Sequence, residues 1–280
     1  MVARITKLRD RTRSVGVARM LGAALCLMLG AGPLRAHEFW VEPLAFVVAL
    51  GETVKADLRI GQDFGGSRYP YLSRRFQDFT MASGADSEPV PGTEGDLPAV
   101  AVEPAPGLLV LAYHSEPDQL TFRDFEKFAS YVAYEGLDWA VDRHRADGLP
   151  ETDFRERYTR NAKALVQVGA NGGGEDQVMG LPFELTVDGS PYAPGTAAVA
   201  VTLTWRGRPV ADWPINVFTR TDGVVKTQVR TDAQGRAEVP FPPASDMLLN
   251  AVYLQRTDAD GFAWESWWAS TTFGRVGRDG

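Results

Sequence analysis

Short β-prone runs broken by turn formers recur along most of the chain after residue 37, and a chain punctuated this way has little room for long helices. From His37 to about Ser115 the runs are Phe46–Leu50, Thr53–Ile60, Phe76–Met81, Ala99–Val102 and Leu108–Tyr113. They are separated by Gly61-Gln62-Asp63-Phe64-Gly65-Gly66 and by the Pro/Gly-rich stretch Glu88–Pro98. After the polar, glycine-rich joint Gly169–Asp176 come Phe183–Val187, Ala197–Trp205, Ile215–Arg220, Lys226–Thr231, Ala237–Phe241, Leu248–Gln255 and Trp264–Phe273. That many runs in roughly 100 residues matches an immunoglobulin-like sandwich. Thr231-Asp232-Ala233-Gln234-Gly235-Arg236 supplies the Asp and Gly of a hairpin turn.

One segment departs from this pattern. Thr121 stands where an N-cap belongs, and Phe125, Phe128 and Val132 recur at helical spacing until Gly136 offers a stop. A second helix is expected over Asp138–Asp147 and a third over about Thr152–Asn161, with Ala164–Val168 returning to strand. The expected fold is therefore mainly β, with two β-sandwich domains. Residues 37–177 form the first, carrying a short helical segment at about 121–161, and residues 178–280 form the immunoglobulin-like second.

Charge is unevenly distributed. Residues 1–19 hold Arg4, Lys7, Arg9, Arg11, Arg13 and Arg19 against Asp10, and Met20–Gly32 is uncharged and apolar. This run is too short to span a bilayer. With Leu34 and Ala36 before the expected cut, residues 1–36 read as a secretory signal peptide cleaved ahead of His37. An uncleaved anchor is the alternative. The chain beyond residue 36 is expected to be periplasmic and not membrane-inserted. It keeps 22 basic against 35 acidic residues and no cysteine, Cys26 lying inside the apolar run. Disulfides and thiolate chemistry are excluded from it, and an acidic surface makes nucleic acid a poor partner.

His37, His114 and His144 are the only histidines. If cleavage precedes His37, its α-amine and ring Nδ1 can chelate a metal together, and a second imidazole would complete a three-nitrogen brace suited to Cu(II) or Ni(II). The alternative is an ordinary first residue of an edge strand, His37-Glu38-Phe39-Trp40. His114, at the end of an expected strand, is the best second ligand, while carboxylates such as Glu38 are the other possibility. His144 sits among arginines that disfavour a cation. The sequence has no Gly-x-Ser-x-Gly elbow, no His-Glu-x-x-His and no Walker loop, so no enzyme is expected. The charged run Arg155–Lys163 could hold an anion or dock a partner, but as a helix it reads more simply as an ion-pair face. Trp264, Trp267 and Trp268 could form a sugar platform, yet strand alternation assigns at least one face to core.

His37-Glu38-Phe39-Trp40-Val41-Glu42-Pro43, Lys127-Phe128-Ala129-Ser130-Tyr131, Glu135-Gly136-Leu137, Arg155-Glu156-x-Tyr158-x-Arg160-x-Ala162-Lys163-Ala164-Leu165 and Thr231-Asp232-Ala233-x-Gly235-Arg236 occur in an order that resembles the exported family called domain of unknown function 4198. That family is described as NikM-like and nickel-uptake associated. The resemblance spans nearly the whole chain after residue 36, and its leading His-x-Phe-Trp falls on His37, Phe39 and Trp40. It implies a periplasmic protein that binds a divalent transition metal, nickel or cobalt before copper, and presents it to an envelope or uptake-system protein. A metal-free module recognising envelope protein or glycan is the alternative, and a copper histidine-brace oxidase a third.

Overall fold

Among the described residues, alternating apolar positions build eighteen strands, joined by two α-helices. The computed structural model describes Met1 and residues 38–169, 173–259 and 261–275. The signal-peptide expectation, the cleavage site and His37 lie outside these. In chain order the first strands are β1 (Glu38–Pro43), β2 (Val47–Val48), β3 (Val54–Gln62), β4 (Gly65–Tyr69), β5 (Phe76–Ser83), β6 (Asp86–Pro89), β7 (Val100–Val102), β8 (Gly107–Ser115) and β9 (Asp118–Phe122). Helices α1 (Phe125–Tyr134) and α2 (Trp139–Ala146) follow, then the long β10 (Phe154–Val168). The rest are β11 (Phe183–Val187), β12 (Ala198–Trp205), β13 (Arg208–Pro209), β14 (Pro214–Arg220), β15 (Val224–Arg230), β16 (Arg236–Pro240), β17 (Asp246–Arg256) and β18 (Trp264–Gly274).

The protein is mainly β, and its sheets pack face to face in three layers. A ten-stranded sheet runs β15-β14-β17-β18-β10-β8-β5-β6, with β2 and β9 also paired to β10. Its strands point successive side chains to opposite faces, and both faces are apolar. Leu108, Val110, Leu165, Leu249 and Trp267 pack on Leu185, Val201 and Leu203 of the four-stranded sheet formed by β11, β12, β13 and β16. Leu109, Leu111, Ala164 and Val166 pack on Val41, Val54 and Leu58 of the sheet formed by β1, β3, β4 and β7. The helices lie on this second side, where Phe128 and Val132 meet Val252, Trp264 and Trp268. Trp264, Trp267 and Trp268 are all buried, so the expected division of this cluster between two faces of a strand holds and all three belong to core.

Three expectations are corrected. Thr121 belongs to β9, and the N-cap of α1 is Asp124, whose extended backbone lets its carboxylate accept the Glu126 N–H at 2.9 Å. The third helix does not exist: 154–161 is the first half of β10, paired antiparallel with β9 and parallel with β18. Phe154 and Glu156 are buried on one face of that strand, a period of two that the mixed charges of the run conceal. The boundary expected at 177/178 does not separate the sheets, because β10 and β18, from either side of it, are hydrogen-bonded neighbours from Glu156↔Trp264 to Ala164↔Thr272. The described residues from Glu38 to Arg275 fall in one compact unit. The second helix lies within its expected range, and Gly136, at φ 75°, ends the first as expected.

β1 is an edge strand whose outward carbonyls are covered. Ser270 Oγ donates to Phe39 O at 2.8 Å and Thr272 Oγ1 to Val41 O at 2.6 Å, so hydroxyls of β18 replace the missing ladder partner. Among the described residues no helix is long and apolar enough to cross a membrane.

Candidate functional site

Of the two predicted ligands only His114 is described. It faces Asp78 across the β5–β8 ladder. Its neighbour Tyr113 packs on Phe39, ring centroids 4.8 Å apart, and alternation along β8 turns His114 to the opposite face. There it lines a cleft of about 680 Å³ with Gln77, Arg157, Thr159, Glu184 and Arg206. Burial pushes its pKa below the usual value, against the pull of Asp78 and Glu116. β1 lies on the other side of the central sheet, so the structure does not bring His114 to Glu38. Among the described residues no group of three or more His, Cys, Asp or Glu side chains is arranged to hold a metal ion.

The start of β1 instead enters a partly buried acidic cluster. Glu38 is 1% exposed, its Oε1 accepting the Tyr134 hydroxyl at 3.1 Å. That hydroxyl also lies 2.6 Å from Asp63 Oδ1. Glu38 Oε2 has no hydrogen-bond partner among the described residues. Burial is the main force pushing Glu38 up to about 7, and Asp63 adds to it while the Tyr134 bond opposes it. One residue beyond Tyr134, Glu135 Oε2 accepts from Asn216 Nδ2 at 2.8 Å and Asn250 Nδ2 at 3.1 Å. Burial, with Glu38 nearby, holds its carboxyl well above the usual range. Among the described residues one cation answers these carboxylates: Lys226 Nζ donates to Tyr134 O at 2.7 Å, where a positive charge also suits the C-terminus of α1. Burial lowers the Lys226 pKa, and Glu135 and Glu38 resist that shift.

A tight turn delivers Asp63. β3 and β4 are joined at Gln62↔Gly65 by Asp63 (φ 54°) and Phe64 (φ 57°), both left-handed as a type I′ hairpin requires. A Cβ on Gly66 would stand 2.5 Å from Ile60 O and 2.9 Å from Trp40 Cη2, and one on Gly61 would collide with the Gly65 carbonyl. The glycines thus allow the hairpin to close against Trp40. Arg220 covers the Phe64 ring at 3.9 Å and pairs with Glu42 and Asp246, each at 2.9 Å.

The remaining buried ionisable groups brace the fold. His144 Nδ1 accepts from Trp264 Nε1 at 3.0 Å and its Nε2 lies 3.0 Å from Pro150 O, so both ring nitrogens are engaged. Glu156 accepts from Ser266 and Tyr131 beneath α1, and burial pushes it up to about 7. Lys163 joins Asp176 at 2.8 Å and Glu184 at 3.2 Å. The carboxylates of that triad also take the N–H groups of Gln177, Met179, Leu181 and Val187, fixing the segment that leads into β11.

Sequence reasoning reached Glu38 but not Asp63, Tyr134, Glu135 or Lys226. The available signals were Glu135-Gly136, already recognisable as a helix end, and the glycine-flanked Asp63. Nothing local relates either one to Lys226.

Fold and cluster together define a β-sandwich protein with a helical cover and, at the start of β1, a group of carboxylates of which Glu38 and Glu135 are buried and Asp63 is exposed. The chain belongs to the family described as domain of unknown function (DUF4198), which it matches over residues 34–255. Comparison with curated proteins finds no match.

Proposed function

We propose that this is an exported protein that binds a divalent transition metal, nickel or cobalt before copper, and passes it to an uptake system in the cell envelope. The supporting observation is the Glu38 carboxylate, buried with one unpartnered oxygen in an acidic cluster that has Lys226 as its cation. His37 is the preceding residue, and adjacent Cα atoms are about 3.8 Å apart. If the chain begins at His37, its α-amine and imidazole form the nitrogen half of the chelate, and carboxylates such as Glu38, rather than His114, complete it. Oxygen and nitrogen donors of this kind suit Ni(II) and Co(II).

Calorimetric titration of Ni(II), Co(II) and Cu(II) into protein beginning at His37 tests this. The expected result is a dissociation constant below about 10 μM, weakened at least about 10-fold by His37→Ala and by one extra N-terminal residue, and unchanged by His114→Ala. Absence of binding in that range overturns the proposal. Equal binding by His37→Ala moves the site elsewhere.

A further inference from the structure

We propose that Arg160 anchors a second site, which binds a small organic carboxylate. The site arises from a break in pairing. β10 pairs with β9 from Phe154 to Tyr158 and with β8 from Leu165 to Val168, leaving 159–164 between the two ladders. At the break the Arg160 N–H is taken by Ser115 Oγ at 2.8 Å, and the chain turns through Glu116 and Pro117 into β9. A pocket of about 440 Å³ opens there, walled by Ile60, Tyr69 and Tyr113. This is within the usual size range of small-molecule sites.

Arg160 lies between two rings, its guanidinium carbon 4.7 Å from the centre of Tyr158 and 5.7 Å from that of Phe39. Among the described residues no carboxylate or carbonyl pairs with it, and its buried Nε lacks a partner. The pocket's other cations are engaged, Arg74 with Glu94 at 3.6 Å and Arg75 with Asp118 at 3.4 Å. Tyr158 and Phe39 lie beside the guanidinium, and with no acceptor on it among the described residues the N–H fork is left for a ligand. That fork matches the two coplanar oxygens of a carboxylate. A phosphate dianion would need a second unpaired cation, and Glu116 and Asp118 at the rim oppose the extra charge. The aromatic and aliphatic walls then receive the apolar body of the ligand. The pocket's lining includes none of Glu38, Asp63 and Glu135, so the assignment does not depend on the metal proposal.

The test uses benzoate and inorganic phosphate, each titrated into the full chain beginning at His37. Benzoate is expected to bind saturably below about 1 mM, and phosphate at least about 10-fold more weakly. Arg160→Lys, which keeps the charge and loses the fork, is expected to weaken benzoate at least about 10-fold. In the unsubstituted protein, saturating benzoate is expected to slow phenylglyoxal modification of Arg160, read by peptide mass spectrometry. This measurement decides the matter even if Arg160→Lys does not fold. No saturable benzoate binding, tighter binding of phosphate, undiminished binding by a folded Arg160→Lys protein, or no protection of Arg160 each overturns the assignment.

Discussion

Single positions carry much of the design. Gly66 has no space for a methyl group between Ile60 O and the Trp40 ring, so Gly66→Ala must push Trp40 or open the β3–β4 turn. The expected cost is about 1–3 kcal/mol, read as a lower urea midpoint with unchanged slope. Glu156 acts in the opposite sense, because its folded-state pKa of about 7 lies above the usual 4.5. A carboxyl raised in this way contributes stability fully below about 4.5 and loses it as pH climbs through about 7. Glu156→Gln cannot ionise. Its stability relative to the parent is expected to improve by about 2–3 kcal/mol between pH 4.5 and 8, and a flat difference across that range would show that Glu156 ionises normally.

At the scale of elements, β10 shows both what the sequence discloses and what it hides. Strands with apolar alternation and turn formers at both ends, such as β11, β12 and β18, are legible within one or two residues. β10 is not, because charged residues occupy inward positions: Glu156 and Lys163 are buried, and a run dense in charge imitates a solvated helix. The acidic cluster is hidden for another reason. Glu38, Asp63, Glu135 and Lys226 come from separate elements and meet only through tertiary packing, so no spacing rule connects them. The Lys163 triad ties β10 to the segment before β11, and removing its cation strands two buried carboxylates. Lys163→Met is expected to destabilise by about 3–5 kcal/mol. Replacing Glu184 and Asp176 by Leu as well is not expected to recover that loss, because the N–H groups of Gln177, Met179, Leu181 and Val187 would be left without acceptors, and thermal unfolding of the variants measures both effects.

For the molecule as a whole, the shared central sheet forbids treating the halves as independent. Both apolar cores use its side chains, with Leu165 in one and Val166 in the other. Unfolding in urea is therefore expected to give one transition, coincident by tryptophan fluorescence and far-ultraviolet circular dichroism. Two resolved transitions would restore the division at residue 177. Residues 178–280 expressed alone are expected to remain unfolded, since β18 would lose its neighbour β10.

The parallel contact of β10 with β18 also governs the order of assembly. β10 precedes β18 in the chain, so until β18 arrives β10 waits with one side of its backbone unsatisfied and its apolar faces only half enclosed. Such an edge invites pairing with other chains until the C-terminal strand arrives. A protein truncated before Trp264 is consequently expected to be a substrate for chaperones and proteases, and β18 acts as the seal on the central sheet.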